Sequence, residues 1–206
     1  MSHLARRQYC PRLIAHRGGG RDAPENTIAA FETGHKYNYK MFECDVKLSA
    51  DGVPYLLHDS TLNRTTSATT DFEAQSIACA DQTWQDLSQL DAGSWYGDNE
   101  KFVGEKIPSL EEVAKWCIEN DVDVNLEIKP VPGAERETGK VVAQHADHLW
   151  KHSSRKPLLT SFSFEAIEEA KLVAPGIERG VLFETFPKGK NTVTATKNCF
   201  DYFTTG

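Results

Sequence analysis

Short apolar runs that end in charged residues are the feature that most restricts what this chain can fold into. They fall at residues 13–15, 41–45, 53–57, 124–128, 158–162, 181–183 and 200–204, seven strand candidates in all. Helical patterns separate most of them, and this alternation predicts βα units around a largely parallel sheet. One helix is expected from near Asn26 and Thr27 to about Lys36. A second opens at Ser109, with Glu112 three residues on to complete a capping box, and runs to about Asn120. A third covers about residues 135–151, and a fourth runs from Ser163 to about Val173, stopped by Pro175 and Gly176. The expected architecture is an α/β TIM-type (β/α) barrel, folded as a single domain over residues 1–206.

Residues 61–106 interrupt the alternation. The stretch is polar and rich in Thr, Ser, Asp and Gly, and a loop this long inside a compact domain is usually functional or carries short elements of its own. It reads as an excursion over the active-site face, with a helical turn at 84–90.

In a parallel barrel every strand delivers its C-terminal residues to one rim. Here the first run ends in His16-Arg17-Gly18-Gly19-Gly20, the second carries Glu43 and Asp45, the third ends in His58-Asp59, and the fourth carries Glu127 and Lys129. That set matches a phosphate-ester site: carboxylates for a hard cation, cations for the phosphate, imidazoles for proton transfer. Glu43 and Asp45 are two apart and share one side of a strand, with Phe42 and Cys44 on the other. A solvated edge strand would also tolerate two carboxylates, but the apolar neighbours argue for a buried strand whose charges are compensated.

His16 and His58 could be structural histidines. Each follows an apolar run and precedes a charged residue, which favours acid/base work. His3, His35, His145, His148 and His152 lie in the tail or on helical segments and read as solvated surface. Gly18 to Gly20 would let backbone amides approach an anion. Pro24-Glu25-Asn26-Thr27 is accounted for as a helix start with an acidic first turn and an N-cap, although Glu25 and Asn26 also fall near the rim. Asp51-Gly52 signals a hairpin that parallel strands cannot use. A two-residue turn would face Ala50 with Val53 and Asp45 with His58; a descent over 46–51 and a new parallel strand would also bring Asp45 and His58 together. Both geometries stay open.

The formal charge of −7 excludes a general nucleic-acid binder, which needs a basic face. Five cysteines without CxxC spacing read as reduced thiols. No signal-peptide pattern and no apolar run of about 18 residues is present, so no transmembrane segment is expected and the expected compartment is the cytoplasm.

Together these residues resemble the glycerophosphodiester phosphodiesterase family. The likeness rests on HRGGGRDAPENTIAAFE from His16 to Glu32, ECDVKLSADGVPYLLHDSTLNRTT from Glu43 to Thr66, and LEIKP from Leu126 to Pro130. KIPSLEEV at 106–113 and SFSFEAI at 161–167 resemble the family's connecting segments, and the likeness runs from about Pro11 onward. It implies hydrolysis of a small-molecule glycerophosphodiester, such as glycerophosphocholine or glycerophosphoethanolamine, to glycerol 3-phosphate and the free alcohol. The implied cofactor is a divalent ion, Mg²⁺ or Ca²⁺, held by Glu43, Asp45 and Glu127; their all-oxygen character suits a hard cation on its own terms. The implied acid/base pair is His16 and His58, and Arg17 and Lys129 are implied to hold the phosphate.

Two other readings compete. One is a related phosphodiesterase acting on a phospholipid or lysophospholipid headgroup, which would favour an apolar lip; the excursion offers Phe72, Trp84, Trp95 and Tyr96, scattered among polar residues. The other is a catalytically inactive binding module or fragment. The resemblance also implies two further strand regions after 181–184, where this chain stops within 200–206. A closed eight-stranded barrel takes about 250 residues, so the expectation is a barrel incomplete at its C-terminal end, with open edges, low stability and weak or absent turnover.

Overall fold

The computed structural model describes residues 13–68, 76–97 and 100–184. Its sheet consists of β1 (Met41–Leu48), β2 (Pro54–Leu56), β3 (Asp123–Ile128), β4 (Leu158–Ser161) and β5 (Glu178–Val181), in the spatial order β2-β1-β3-β4-β5. Strands β1, β3, β4 and β5 run parallel, and β2 is antiparallel to β1. Helices α1 (Ile28–Lys36), α3 (Leu110–Glu119), α4 (Glu135–Leu149) and α5 (Phe164–Val173) accompany the parallel strands, while α2 (Trp84–Leu87) lies within the excursion. Among the described residues the sheet does not close on itself.

The alternation along β1 divides the molecule. Phe42, Cys44 and Val46 enter the main core with Phe31, Leu126, Val142 and Trp150, and each such large side chain removed from water contributes roughly 1.5–3 kcal/mol. Phe31 stacks on Phe42 at 5.4 Å between ring centroids, and Trp116 meets both rings edge-on. Glu43, Asp45 and Lys47 take the opposite face. Two close approaches hold the helices to this frame. A Cβ at Gly139 of α4 would lie 2.2 Å from the Ala166 carbonyl oxygen of α5, and one at Gly34 would lie 2.4 Å from the Gly18 carbonyl oxygen. Only glycine fits at either place.

The α3 capping box forms as expected: Ser109 Oγ accepts from the Glu112 amide at 3.2 Å, and Glu112 Oε2 accepts from the Ser109 amide at 2.8 Å. Helix α1 differs from expectation. Thr27 is its N-cap and Ile28 its first residue, so Glu25 and Asn26 stand outside the helix and its first turn carries no acid. The excursion packs Leu62, Cys79, Leu87 and Ala92 into a second small core with Tyr55, Leu57 and Ile107. It is pinned by isolated bridges between Thr61 and Ala78 and between Asp91 and Lys106. Its helix ends at Leu87, short of residue 90.

The hairpin geometry holds and the parallel alternative does not. The register pairs Val46 with Leu56, Lys47 with Tyr55 and Leu48 with Pro54. The turn has three residues where two were expected. Ser49 donates its amide to the Val53 carbonyl at 3.0 Å, leaving Ala50, Asp51 and Gly52 as the loop, with Gly52 at φ +80°. That left-handed third residue shifts the register by one, so Leu57, not His58, stands opposite Asp45. The third candidate strand is therefore a returning hairpin arm, not a parallel barrel stave. Residues 13–15 contribute one bridge, Ala15 to Phe42, and the strand expected at 181–183 is instead Glu178–Val181, sharing only Val181 with that run. The candidate at 200–204 lies outside the described residues, as do Cys10 and Cys199; Cys44, Cys79 and Cys117 are buried free thiols. His35 is half-buried against the edge of Trp116 where surface was expected. Among the described residues no helix is long and apolar enough to cross a membrane.

Candidate active site

The site grows from a gap in the β1 ladder. On one edge, Ala15 accepts from the Glu43 amide at 2.9 Å, and further along Leu57 donates to the Asp45 carbonyl at 3.1 Å. Between them the Asp45 amide has no backbone partner among the described residues, and a buried N–H must find one. Asn26 supplies it: Oδ1 accepts from the Asp45 amide at 3.2 Å while Nδ2 donates to Asp45 Oδ2 at 2.8 Å. Asn26 reaches this position with φ at +58°, a conformation that asparagine tolerates better than most side chains.

On the other edge, the parallel register places Glu127 of β3 beside Asp45. Glu43, Asp45 and Glu127 each turn an oxygen to one place, all within 4.8 Å of one another. Glu43 Oε2 accepts from the Arg17 amide at 3.0 Å, but buried Oε1 has no hydrogen-bond partner among the described residues. Burial first, and then the Asp45 charge, push the Glu43 carboxyl well above its ordinary range. Burial and Asp45 also raise Glu127, partly opposed by Lys129. Three crowded carboxylates with an unsatisfied buried oxygen suit a hard cation. Lys129 Nζ stands 3.4 Å from Asp45 Oδ1 and 3.2 Å from Glu127 Oε1, and Arg17 Nε stands 3.4 Å from Asp45 Oδ2.

The histidines flank this cluster. His16, its side chain 66% exposed, brings Nε2 to 3.8 Å from Glu43 Oε2. Partial burial and the adjacent Arg17 lower its pKa, with Asp45 and Glu25 opposing. His58 follows β2 and holds Nδ1 at 2.7 Å from Asp59 Oδ1. The seven residues expected from the sequence, His16, Arg17, Glu43, Asp45, His58, Glu127 and Lys129, are thus gathered at one end of the sheet.

Four more residues join them, for which the sequence suggests only local structural work or none: Glu25, Asn26, Asp59 and Arg64. Glu25 Oε1 accepts from Arg17 Nη1 at 2.8 Å, and Arg64 binds both Glu25 and Asp59. The hydrogen bond from Arg64 leads the causes that hold Asp59 well below the usual carboxylate range. Beside His58 a recess is lined by Glu25, Asn26, Leu57, Thr65 and Ile107. One signal for Asn26 was available: a helix needs a single N-cap, and with Thr27 in that role Asn26 was a spare polar residue.

The glycerophosphoryl diester phosphodiesterase family model matches residues 16–200. A glycerophosphodiester phosphodiesterase of Caldanaerobacter subterraneus subsp. tengcongensis is 34% identical over 176 residues, which are 84% of this chain and 66% of the relative. Among solved structures, an Oleispira antarctica phosphodiesterase in complex with the product sn-glycerol-3-phosphate gives a TM-score of 0.80 at 33% identity, over 92% of this chain and 72% of that one. A glycerophosphodiester phosphodiesterase from Agrobacterium tumefaciens gives a TM-score of 0.67 at 30% identity, over 82% of this chain and 65% of that one. The match spans about two thirds of the length of two curated bacterial relatives and about a quarter to a third of the mammalian ones. Its open α/β sheet is consistent with the TIM-type barrel of those structures. With a match that covers most of its residues, the chain belongs to the glycerophosphoryl diester phosphodiesterase family.

Proposed function

We propose that this chain catalyses metal-dependent hydrolysis of glycerophosphodiesters to glycerol 3-phosphate and an alcohol, in a single domain whose 61–106 excursion walls the site. The observation that carries the proposal is the convergence of Glu43, Asp45 and Glu127 within 4.8 Å, on the face that also presents Arg17 and Lys129. The sn-glycerol-3-phosphate in the Oleispira relative supports a substrate of this class.

The three carboxylates would hold a divalent cation, Mg²⁺ or Ca²⁺, which supplies Lewis-acid polarisation of a phosphoryl oxygen. Arg17 presents its guanidinium with Nη1 already braced by Glu25, an orientation suited to a phosphate; Lys129 adds a point charge beside it. His16 and His58 divide the proton transfers, one deprotonating the nucleophile and the other protonating the departing alcohol. Asp59 at Nδ1 of His58 fixes that ring's tautomer and leaves Nε2 for the reacting proton.

The test is release of sn-glycerol 3-phosphate from glycerophosphocholine and glycerophosphoethanolamine, with Mg²⁺ or Ca²⁺ and with EDTA. Cation-dependent release is expected. Release that persists in EDTA would sink the metal role. Choline-headgroup release from lysophosphatidylcholine, with no glycerol 3-phosphate from either diester, would replace the proposal with the lipid-headgroup reading.

A further inference from the structure

We propose that Arg64 is a positioning residue that locks His58 and Arg17 into one arrangement through two carboxylates it grips simultaneously, an inference that rests on the proposed hydrolysis. Toward Asp59, Arg64 donates from Nε to Oδ2 at 2.6 Å and from Nη2 to Oδ1 at 2.9 Å. Toward Glu25, it donates from Nη1 to Oε2 at 2.9 Å and from Nη2 to Oε1 at 2.7 Å. All three guanidinium nitrogens are engaged. Each carboxylate then hands the constraint to a residue of the site. Asp59 Oδ1 meets His58 Nδ1 at 2.7 Å, and Glu25 Oε1 accepts from Arg17 Nη1 at 2.8 Å.

The chain running from His58 through Asp59, Arg64 and Glu25 to Arg17 joins an acid/base candidate to a phosphate-binding candidate from a distant stretch of sequence. An isolated exposed ion pair contributes little, because two long side chains must be ordered against solvent screening. This arrangement differs in kind. A planar fork shared between two carboxylates has one geometry that satisfies all four bonds, and both carboxylates are then unable to rotate away from His58 and Arg17. Trp95 adds a wall: the Arg64 guanidinium carbon lies 6.0 Å from its ring centroid, and Trp95 is tied by Nε1 to the Ala92 carbonyl at 2.8 Å. Arg64 makes no ion pair with Glu43, Asp45 or Glu127 among the described residues, so its influence on the reaction runs through His58 and Arg17. A lysine could keep the charge but not the fork.

The experiment compares wild type with Arg64→Gln and Arg64→Lys on glycerophosphocholine, alongside ¹⁵N NMR of the His58 ring in each protein. Arg64→Gln is expected to lower kcat by about 10–100-fold, the usual range for a partner that orients a site residue, and to weaken inhibition by inorganic phosphate. Arg64→Lys is expected to stay close to Arg64→Gln, because charge alone does not restore the fork. The wild-type His58 ring is expected as a single tautomer protonated at Nδ1, and as a mixture in Arg64→Gln. Unchanged tautomer populations in Arg64→Gln overturn the proposal, whatever happens to kcat. Full recovery by Arg64→Lys also overturns it, since a point charge would then suffice. Should wild type fail to hydrolyse the diester at all, the functional reading falls, while the NMR comparison still decides whether Arg64 orders His58.

Discussion

Replacing Asn26 with alanine probes the joint on which the site is hung. Three contributions can be read from the structure. The 2.8 Å bond from Nδ2 to the Asp45 carboxylate is a hydrogen bond to a charged, buried acceptor, a type that contributes about 1.5–3 kcal/mol. Losing Oδ1 leaves the Asp45 amide unpaired in the ladder gap, which costs about 1–3 kcal/mol. Alanine must also adopt φ near the observed +58°, at roughly 1–2 kcal/mol. These terms overlap, since local relaxation relieves part of each, and about 4 kcal/mol of destabilisation is the working figure. Equilibrium urea denaturation in EDTA measures it. Asn26→Gly separates the contributions: it loses both hydrogen bonds but not the backbone freedom, and is expected to be about 1 kcal/mol more stable than Asn26→Ala. In cation titrations followed by calorimetry, both variants should bind the ion about 10–100-fold more weakly, because Asp45 is free to turn. An Asn26→Ala protein within about 1 kcal/mol of wild type, with unchanged cation affinity, would refute the reasoning.

The carboxylate cluster makes a pH prediction for the cation-free protein. Glu43 and Glu127 have folded pKa values raised above the unfolded ones, so the folded state binds more protons and stability falls as pH rises above about 4.5 through those raised values. Glu43→Gln should flatten that fall in EDTA-treated protein and abolish cation-induced thermal stabilisation; a variant with the wild-type pH profile would count against the cluster. His16→Ala and His58→Ala should each lower kcat by roughly 10²–10⁴ while bound cation, measured by atomic emission, is retained. Lys47 is 5% exposed, and no hydrogen bond or ion pair reaches its ammonium group among the described residues. Burial lowers its pKa, so the wild type gains stability as pH rises through that lowered value toward about 10.4. Lys47→Met should raise stability by about 1 kcal/mol at neutral pH and remove the alkaline gain; a drop in melting temperature would show that the ammonium has a stabilising role.

The helices were the most legible part of the fold, because their signals are local. Ser109 and Glu112 form a capping box across three residues, and Ser163 caps α5 within the same reach. Strand positions were legible in outline and less so in detail. Whether Leu57 or His58 faces Asp45 depends on a single loop residue, and Gly52 decides it by adopting φ +80°. Composition cannot report that choice. The strand at Glu178–Val181 begins with two charged residues, so the apolar run placed it about three residues late. Its extent is set by pairing with Leu158 to Ser161, a partner that sequence alone does not name.

The candidate site was legible for a related reason, and its supports were not. Glu43, Asp45 and Glu127 lie on neighbouring parallel strands and Lys129 follows the second of them, so knowing the strands is enough to know that they meet. Asn26, Glu25, Asp59 and Arg64 belong to turns, where each polar residue has an adequate local explanation: a cap, an acidic turn, a solvated arginine. Their role appears only through contacts across 19 residues, from Asn26 to Asp45, and 39 residues, from Glu25 to Arg64. The cluster of carboxylates raises the energy of the folded chain, since burial pushes Glu43 and Glu127 toward the neutral form. An arrangement that opposes folding in this way persists only if neighbouring contacts over-determine it. Asn26 fixes Asp45 from the open edge of β1, and Arg64 fixes the turn residues around it. Asn26 therefore holds Asp45 in place against the repulsion of the cluster, so substitution there should disturb cation binding before it disturbs the main core, whereas Arg64 reaches the site through Asp59 and Glu25.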